Sequence, residues 1–278
     1  MQPGMLIDAR NLFALLDEKL IALLRSLSAA EWNMPTIAKL WTVKDIAAHL
    51  LDGNIRTLSM ARDGYFGEQP GNIASYQDLL DYLNRLNADW VKAMHRISPL
   101  VLTGLLETTG KEFSAYMEAA DLLAPAIFPV NWAGEEQSVN WFHIAREYTE
   151  KWIHQQQIRD AVNKPGIMNK ELFYPFIDTF MRGLPYTYRN TIAIAGTTVQ
   201  VMVTGEAGGS WLLVKTVDDW QLSQEQIAHP TSAVSLDPDT AWRLFSKGIT
   251  PADALEKATI LGEIPLGSVA LSMVSVMA

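Results

Sequence analysis

The 278-residue chain contains no cysteine. That excludes thiolate metal ligands, disulfide staples and a cysteine nucleophile, so any metal site must be built from His, Asp and Glu. Positive charge is also short. Lys and Arg number 22 against 31 Asp and Glu, a formal net charge of -9. No basic stripe is present to neutralise phosphates, which argues against a nucleic-acid partner. Long hydrophobic runs are missing as well. The most apolar stretch, 266–278, is shorter than the about 20 residues a membrane-spanning helix needs and reads as a buried terminal helix. Residues 1–20 interrupt their apolar positions with Asp8, Arg10, Asp17, Glu18 and Lys19, the pattern of an amphipathic helix and not of a signal peptide. These absences point to an acidic cytoplasmic protein that acts on a small molecule, with neither nucleic acid nor membrane as partner.

What is present is the material of a folded protein. Apolar residues make up 49% and charged residues 19% of the chain, and its length predicts two domains. Leu12, Leu15, Leu16, Leu20, Leu23 and Leu24 recur at helical spacing. Thr42 with Asp45 three residues on has the form of a capping box opening a second helix through Ile46, His49, Leu50 and Ile55. Ser75 opens a third, closed by Ser98 and Pro99, and a fourth covers about 100–123. A loop over 124–136, with Pro125, Pro129 and Gly134, leads to the strongest helical pattern, 138–162, and a further helix spans 170–182. Past Gly183 the pattern changes to short β-branched runs at 191–195, 198–204 and 211–217, bounded by Gly196, Gly205, Gly208 and Gly209. Helices return where Asp237-Pro238 and Thr250-Pro251 supply an N-cap followed by proline at the first helical position. The expected organisation is a helical bundle over 1–183 and a small α+β domain over 184–278.

In Glu150-Lys151-Trp152-Ile153-His154 the Glu and His stand four apart, so on a helix they leave one face a turn apart and can reach one ion. Imidazole with carboxylate suits zinc, nickel, iron or manganese. Such a pair is weak evidence alone, because a solvated helix face gives the same spacing. His49 lies on the inward apolar stripe of the second helix, where an unpaired imidazole is costly to bury. On periodicity alone, a satisfied core histidine is the commoner account.

The run Trp41 to Asp52, preceded by Leu27-Ser28-Ala29-Ala30-Glu31-Trp32, resembles the signature of the DinB-like metalloprotein superfamily, in its mycothiol-dependent maleylpyruvate isomerase branch. The segment from Glu150 to His154, continuing through Gln157-Ile158-Arg159-Asp160-Ala161, resembles that family's second metal-binding helix. The resemblance spans most of residues 6–162 and implies a four-helix bundle with a metal triad of His49, Glu150 and His154. It further implies a small sterol-carrier-like C-terminal domain, a low-molecular-weight thiol such as mycothiol as cofactor, and a C-terminal arginine near the site, for which Arg243 is the candidate. A solvated helix arginine is the competing account of Arg243. Three protein ligands leave coordination positions open, the pattern of a catalytic site, at which a thiol or water is acidified. The expected activity is therefore isomerase or S-transferase chemistry dependent on a divalent metal, with zinc first among the candidates.

His143 and Glu147 extend the stripe of Glu150 and His154, either lining a pocket or orienting ligands, or simply pairing with each other. Trp132, in the loop before the metal helix, is a candidate for the pocket mouth. Asp45 reads as a cap and Asp52 as solvated; Arg146 and Lys151 read as exposed helix cations, with attraction of an acidic substrate the rarer alternative. His95 and His229 have no constellation around them. Two other function classes fit the same residues: a non-catalytic metal protein whose α+β domain carries an apolar ligand, and a metal-assisted hydrolase. Bundles of this kind often form homodimers, though no residue here demonstrates one.

Overall fold

The computed structural model describes residues 6–68, 70–225 and 227–276. Four helices form the bundle: α1 (Leu12–Arg25), α2 (Val43–Thr57), α4 (Pro99–Glu118) and α5 (Asn140–Ala161). Helix α3 (Tyr76–Met94) packs on α2 from outside. The expected caps are in place. Thr42 and Asp45 close a reciprocal capping box at the start of α2, and Ser75 and Asp78 do the same for α3, so orphan amides at both ends are satisfied by side chains. Helix α2 runs directly into a π-helical turn, Leu58–Arg62. Helix α4 stops at Glu118, short of the 123 expected, where the turn around Asp121 takes over.

Helix α6 (Lys170–Met181) and the short α7 (Leu184–Tyr188) lead into a five-stranded sheet ordered β3-β2-β1-β4-β5. The strands are β1 (Thr198–Val203), β2 (Gly209–Lys215), β3 (Trp220–Ser223), β4 (Ser232–Leu236) and β5 (Thr259–Gly262). Strands β1 and β4 are parallel and the other neighbours antiparallel, with Val201 opposite both Trp211 and Val234. The β1–β2 turn requires glycine at 208, where an added Cβ would sit 1.9 Å from the Val203 carbonyl oxygen. Helices α8 (Pro238–Phe245), α9 (Pro251–Leu255) and α10 (Ile264–Ser268) complete this α+β unit, and Asp237 and Thr250 cap the first two as expected.

Two expectations are corrected. Residues 191–195 form no strand: Ile192 and Ile194 are 99% and 83% exposed, and the chain turns at Gly196 before β1. Their β-branched character lacks a neighbouring strand to pair with, and the Thr191 carbonyl instead accepts from the Trp220 indole. The tail is not one terminal helix. After α10 comes a 3-10 turn, Val269–Ser272, and then extended chain in which the Ser275 amide bonds to the Phe245 carbonyl; residues 277–278 lie outside those described.

The core passes across the boundary expected at 183. Trp152 of α5 stacks on Phe176 of α6 at 4.0 Å and meets Trp242 of α8 edge-on at 6.4 Å, in one cluster with Val199, Val201, Leu213 and Val234 of the sheet. A second cluster fills the bundle around Leu24, Ile46, Leu51 and Leu106. Among the described residues, no helix is long and apolar enough to cross a membrane.

Candidate metal centre

Helices α2 and α5 pack together and run antiparallel, so residues on their facing stripes pair in opposite order. His49 of α2 meets His154 of α5, ring centroids 4.7 Å apart and nearly perpendicular. Glu150, one turn back on α5, brings Oε2 to 3.6 Å from His154 Nε2. Trp41, immediately before the Thr42 cap, lies across both rings, 4.8 Å from His49 and 6.2 Å from His154. The capping box thus sets the start of α2 and, with it, the aromatic wall over the histidines.

The protonation pattern suits metal donors. His154 Nδ1 stands 2.9 Å from Gln157 Oε1, which can only accept, so Nδ1 carries the proton and Nε2 presents its lone pair. His49 Nδ1 is buried and has no hydrogen-bond partner. Burial, reinforced by the nearby His154 and Arg56, holds the His49 imidazole well below its ordinary pKa, so it stays neutral with a lone pair available. A buried, unpaired ring nitrogen is costly unless something completes it. Among the described residues, no group of three ligand-type side chains already converges as a cage. Two imidazoles and a carboxylate nevertheless fit a divalent ion in kind.

Further along the groove, Arg146 Nη2 donates to His143 Nδ1 at 2.8 Å and to Glu147 Oε1 at 2.5 Å. His143 therefore accepts at Nδ1 and keeps its proton on Nε2; burial lowers its pKa to about 4. Burial alone would raise the Glu147 carboxyl, but the charges of Arg146, His143 and Arg56 bring it below its ordinary value. His143 also lines a cavity of about 130 Å³ with Ala61, Tyr116, Met117, Asn140 and Ile144. From the contact of His49 with His154 the groove thus runs to Arg56, whose charge acts on Glu147, and on to the cavity that Ala61 and His143 both line.

Other expected positions fall differently. Trp132 is not at a pocket mouth; it is buried edge-on between Phe142 and Phe180, where the apolar ring is worth more in the core than at a rim. Arg243 is no solvated arginine, since it donates to Asp239 of its own helix and to both oxygens of Asp160 on α5. This sets Arg243 of α8 against α5, at a residue six beyond His154. Asp52 is buried and lies 3.0 Å from Arg56, not in solvent. Arg146 is buried as well, and Lys151, expected as an exposed cation, is buried at 2.8 Å from Asp17 of α1 and over the Phe113 ring. His95, expected to have no constellation, pairs with the capping Asp45 at 2.9 Å. Arg56 was not singled out by sequence reasoning, although its place seven residues after His49, on the same face of α2, was a usable signal.

Residues 13–159, more than half of the chain, match the family of the mycothiol maleylpyruvate isomerase N-terminal domain. The chain belongs to that family. A crystal structure of the mycothiol-dependent maleylpyruvate isomerase superposes with a TM-score of 0.54 at 14% identity, covering 92% of this chain and 93% of that chain. The structure of a histidine-to-alanine mutant of that isomerase matches with the same TM-score and coverage at 13% identity. Identities this low establish the fold alone, and here they extend it beyond the family domain into the α+β unit. No curated protein matches the sequence.

Proposed function

We propose that this protein is a divalent-metal enzyme that activates a low-molecular-weight thiol for isomerase or S-transferase chemistry on a small acidic substrate. One observation carries the proposal: the buried, unpartnered Nδ1 of His49 lies beside His154, whose Nε2 lone pair faces Glu150. The relatives with this fold are described as mycothiol-dependent maleylpyruvate isomerase, and this chain, without cysteine, would likewise need a thiol brought from outside. His49, Glu150 and His154 would hold the ion, zinc being the best match to two imidazoles and a carboxylate with an open fourth position. Bound there, the ion would supply acidification of a coordinated thiol or water.

The remaining chemistry belongs to the chain's own residues. Gln157 fixes the His154 tautomer, burial keeps His49 neutral, and Trp41 covers both rings against water. Beyond the donors the groove carries two guanidinium groups, Arg56 and Arg146, beside the carboxylates of Asp52 and Glu147. The guanidinium groups suit an acidic substrate.

Elemental mass spectrometry on untagged protein tests the reading. Near-stoichiometric zinc or another divalent ion is expected in the wild type and should be lost in His49→Ala and His154→Ala. Thiol-dependent turnover of unsaturated acids should disappear with it. A metal-free wild type that remains folded would overturn the proposal and favour a protein that merely carries a ligand. Metal without thiol dependence would point to hydrolysis.

A further inference from the structure

Besides Arg159, whose guanidinium is held by the backbone carbonyls of Lys19, Lys164 and Pro165, three arginines lie on or near α5, and they are not equally occupied. Arg243 gives hydrogen bonds to two carboxylates, Asp160 and Asp239. Arg146 is engaged by Glu147 and His143. Arg56 differs from both. A guanidinium has five N–H donors, and among the described residues the one hydrogen bond Arg56 makes is a long one, from Nη2 to Asn87 Oδ1 of α3 at 3.4 Å. Its Nε is buried 3.0 Å from Asp52 Oδ2 without the alignment of a hydrogen bond, and that carboxylate oxygen is also buried and unpartnered.

The placement matters as much as the unmet capacity. Arg56 follows His49 by two helical turns, about 10 Å along the axis. Helical side chains lean toward the N-terminus of their helix, and the contact with Asp52, one turn back, shows Arg56 doing so. Its charge acts on His49 on its own helix and on Glu147 across the groove. Burial raises the Asp52 carboxyl above its ordinary pKa, and the charge of Arg56 opposes that shift. A part-buried guanidinium whose outer donors are not committed to a protein acceptor can take up a further anion, and its forked geometry matches a carboxylate.

We propose that Arg56 anchors the carboxylate of a small carboxylic acid in the α2–α5 groove, beside His49, Glu150 and His154. This rests on the metal-and-thiol reading above and assigns the residue that holds the acidic end of the substrate.

The test uses the full chain, as purified and after chelator treatment, and titrates it with maleate and with uncharged dimethyl maleate, following the vinyl-proton resonance of each. Arg56→Gln should weaken maleate binding about 10- to 100-fold in both preparations, the loss of a charge-assisted pair. Arg56→Lys should lose less, and dimethyl maleate should bind all variants alike. Because Arg56→Gln leaves Asp52 without its cation, the double variant Asp52→Asn/Arg56→Gln serves as the folded control and should show the same maleate loss. Wild-type affinity for maleate in Arg56→Gln, an equal fall for the ester, or no maleate binding by the wild type would each overturn the assignment. Metal content is read separately. Arg56-dependent maleate binding in a protein that takes up no metal would sink the metalloenzyme reading while sustaining the anchor, and intact metal uptake with Arg56-independent binding would do the reverse.

Discussion

Helix α5 has two opposite faces built on contrary rules. One carries Trp152, stacked on Phe176 and closed by Phe173 and Trp242, so that every group in contact gains from leaving water. The other carries His143, Glu147, Glu150 and His154, polar groups of which His143 is buried, Glu147 and His154 are mostly so and Glu150 is partly exposed, with His49 Nδ1 of α2 left unpartnered beside them. Between them lies a third strip, where Tyr148 packs on Phe13 and Lys151 reaches Asp17. The aromatic face stabilises the molecule and joins bundle to sheet. The histidine face costs stability and is explained by what it could bind. A helix buried on all sides can thus be read face by face, with the unsatisfied face pointing to function.

That contrast can be broken most forcefully at Trp152. Trp152→Ala should cost about 4 kcal/mol, the range for truncating a buried aromatic, in denaturant unfolding. His154→Ala should cost far less in the metal-free protein while abolishing metal uptake. A loss below about 1 kcal/mol for Trp152→Ala would mean that the two halves do not share the core described. Next in size is Lys151→Met, which strands Asp17 in the bundle beside Gly110, where an added Cβ would lie 2.7 Å from Asp17 Oδ2. Breaking one partner of a buried pair costs about 3 kcal/mol, whereas Asp17→Leu/Lys151→Met should recover much of it. If the double variant is no better than the single, the strip is a packing surface and not an ion pair in any energetic sense.

Much of this was legible before the structure, and the boundary of legibility is physical. Local signals were reliable: Thr42 with Asp45, Ser75, Asp237-Pro238 and Thr250-Pro251 each mark a helix start, because a cap is decided within four residues. The bundle and a small α+β unit followed from such signals together with the family resemblance. Long-range pairing was not legible. The partner of Lys151 is 134 residues away and the Asp160 partner of Arg243 is 83 away, so neither ion pair is visible in the local sequence. Strands β3, β4 and β5, four or five residues each, are specified by their neighbours more than by their own sequence, while 191–195 has strand-like residues and no neighbour. At the site, sequence and family resemblance supplied the candidates, and the facing of His49 and His154 required the fold.

Acid sharpens the comparison from the histidine side. His143 is held neutral by burial with a pKa lowered to about 4, against 6.5 for an ordinary histidine. The unfolded chain therefore takes up a proton that the folded chain refuses, so the stabilising contribution is present above about pH 6.5 and is lost as pH falls toward 4. The loss is of order 3 kcal/mol over the window. In metal-free protein, thermal unfolding should fall across that range, and His143→Gln should flatten the slope. An unchanged slope in the variant would show that His143 is not the group responsible.

The smallest effect separates the site from the scaffold most cleanly. Thr42 and Ser75 make the same capping box, one on α2 beneath Trp41 and His49, the other on the outer helix α3. Thr42→Ala and Ser75→Ala should each cost about 1 kcal/mol, since each frees the same kind of amide. Their effect on the candidate metal centre should differ. Fraying the first turn of α2 loosens Trp41 over both imidazoles and the approach of His49 to His154, so zinc affinity should fall several-fold in Thr42→Ala. The start of α3 touches no donor, so Ser75→Ala should leave affinity unchanged. Competition with a chromogenic chelator measures both. Equal affinities would mean that the donors are positioned by the packing of α2 on α5 alone, and that the cap serves only the helix it opens.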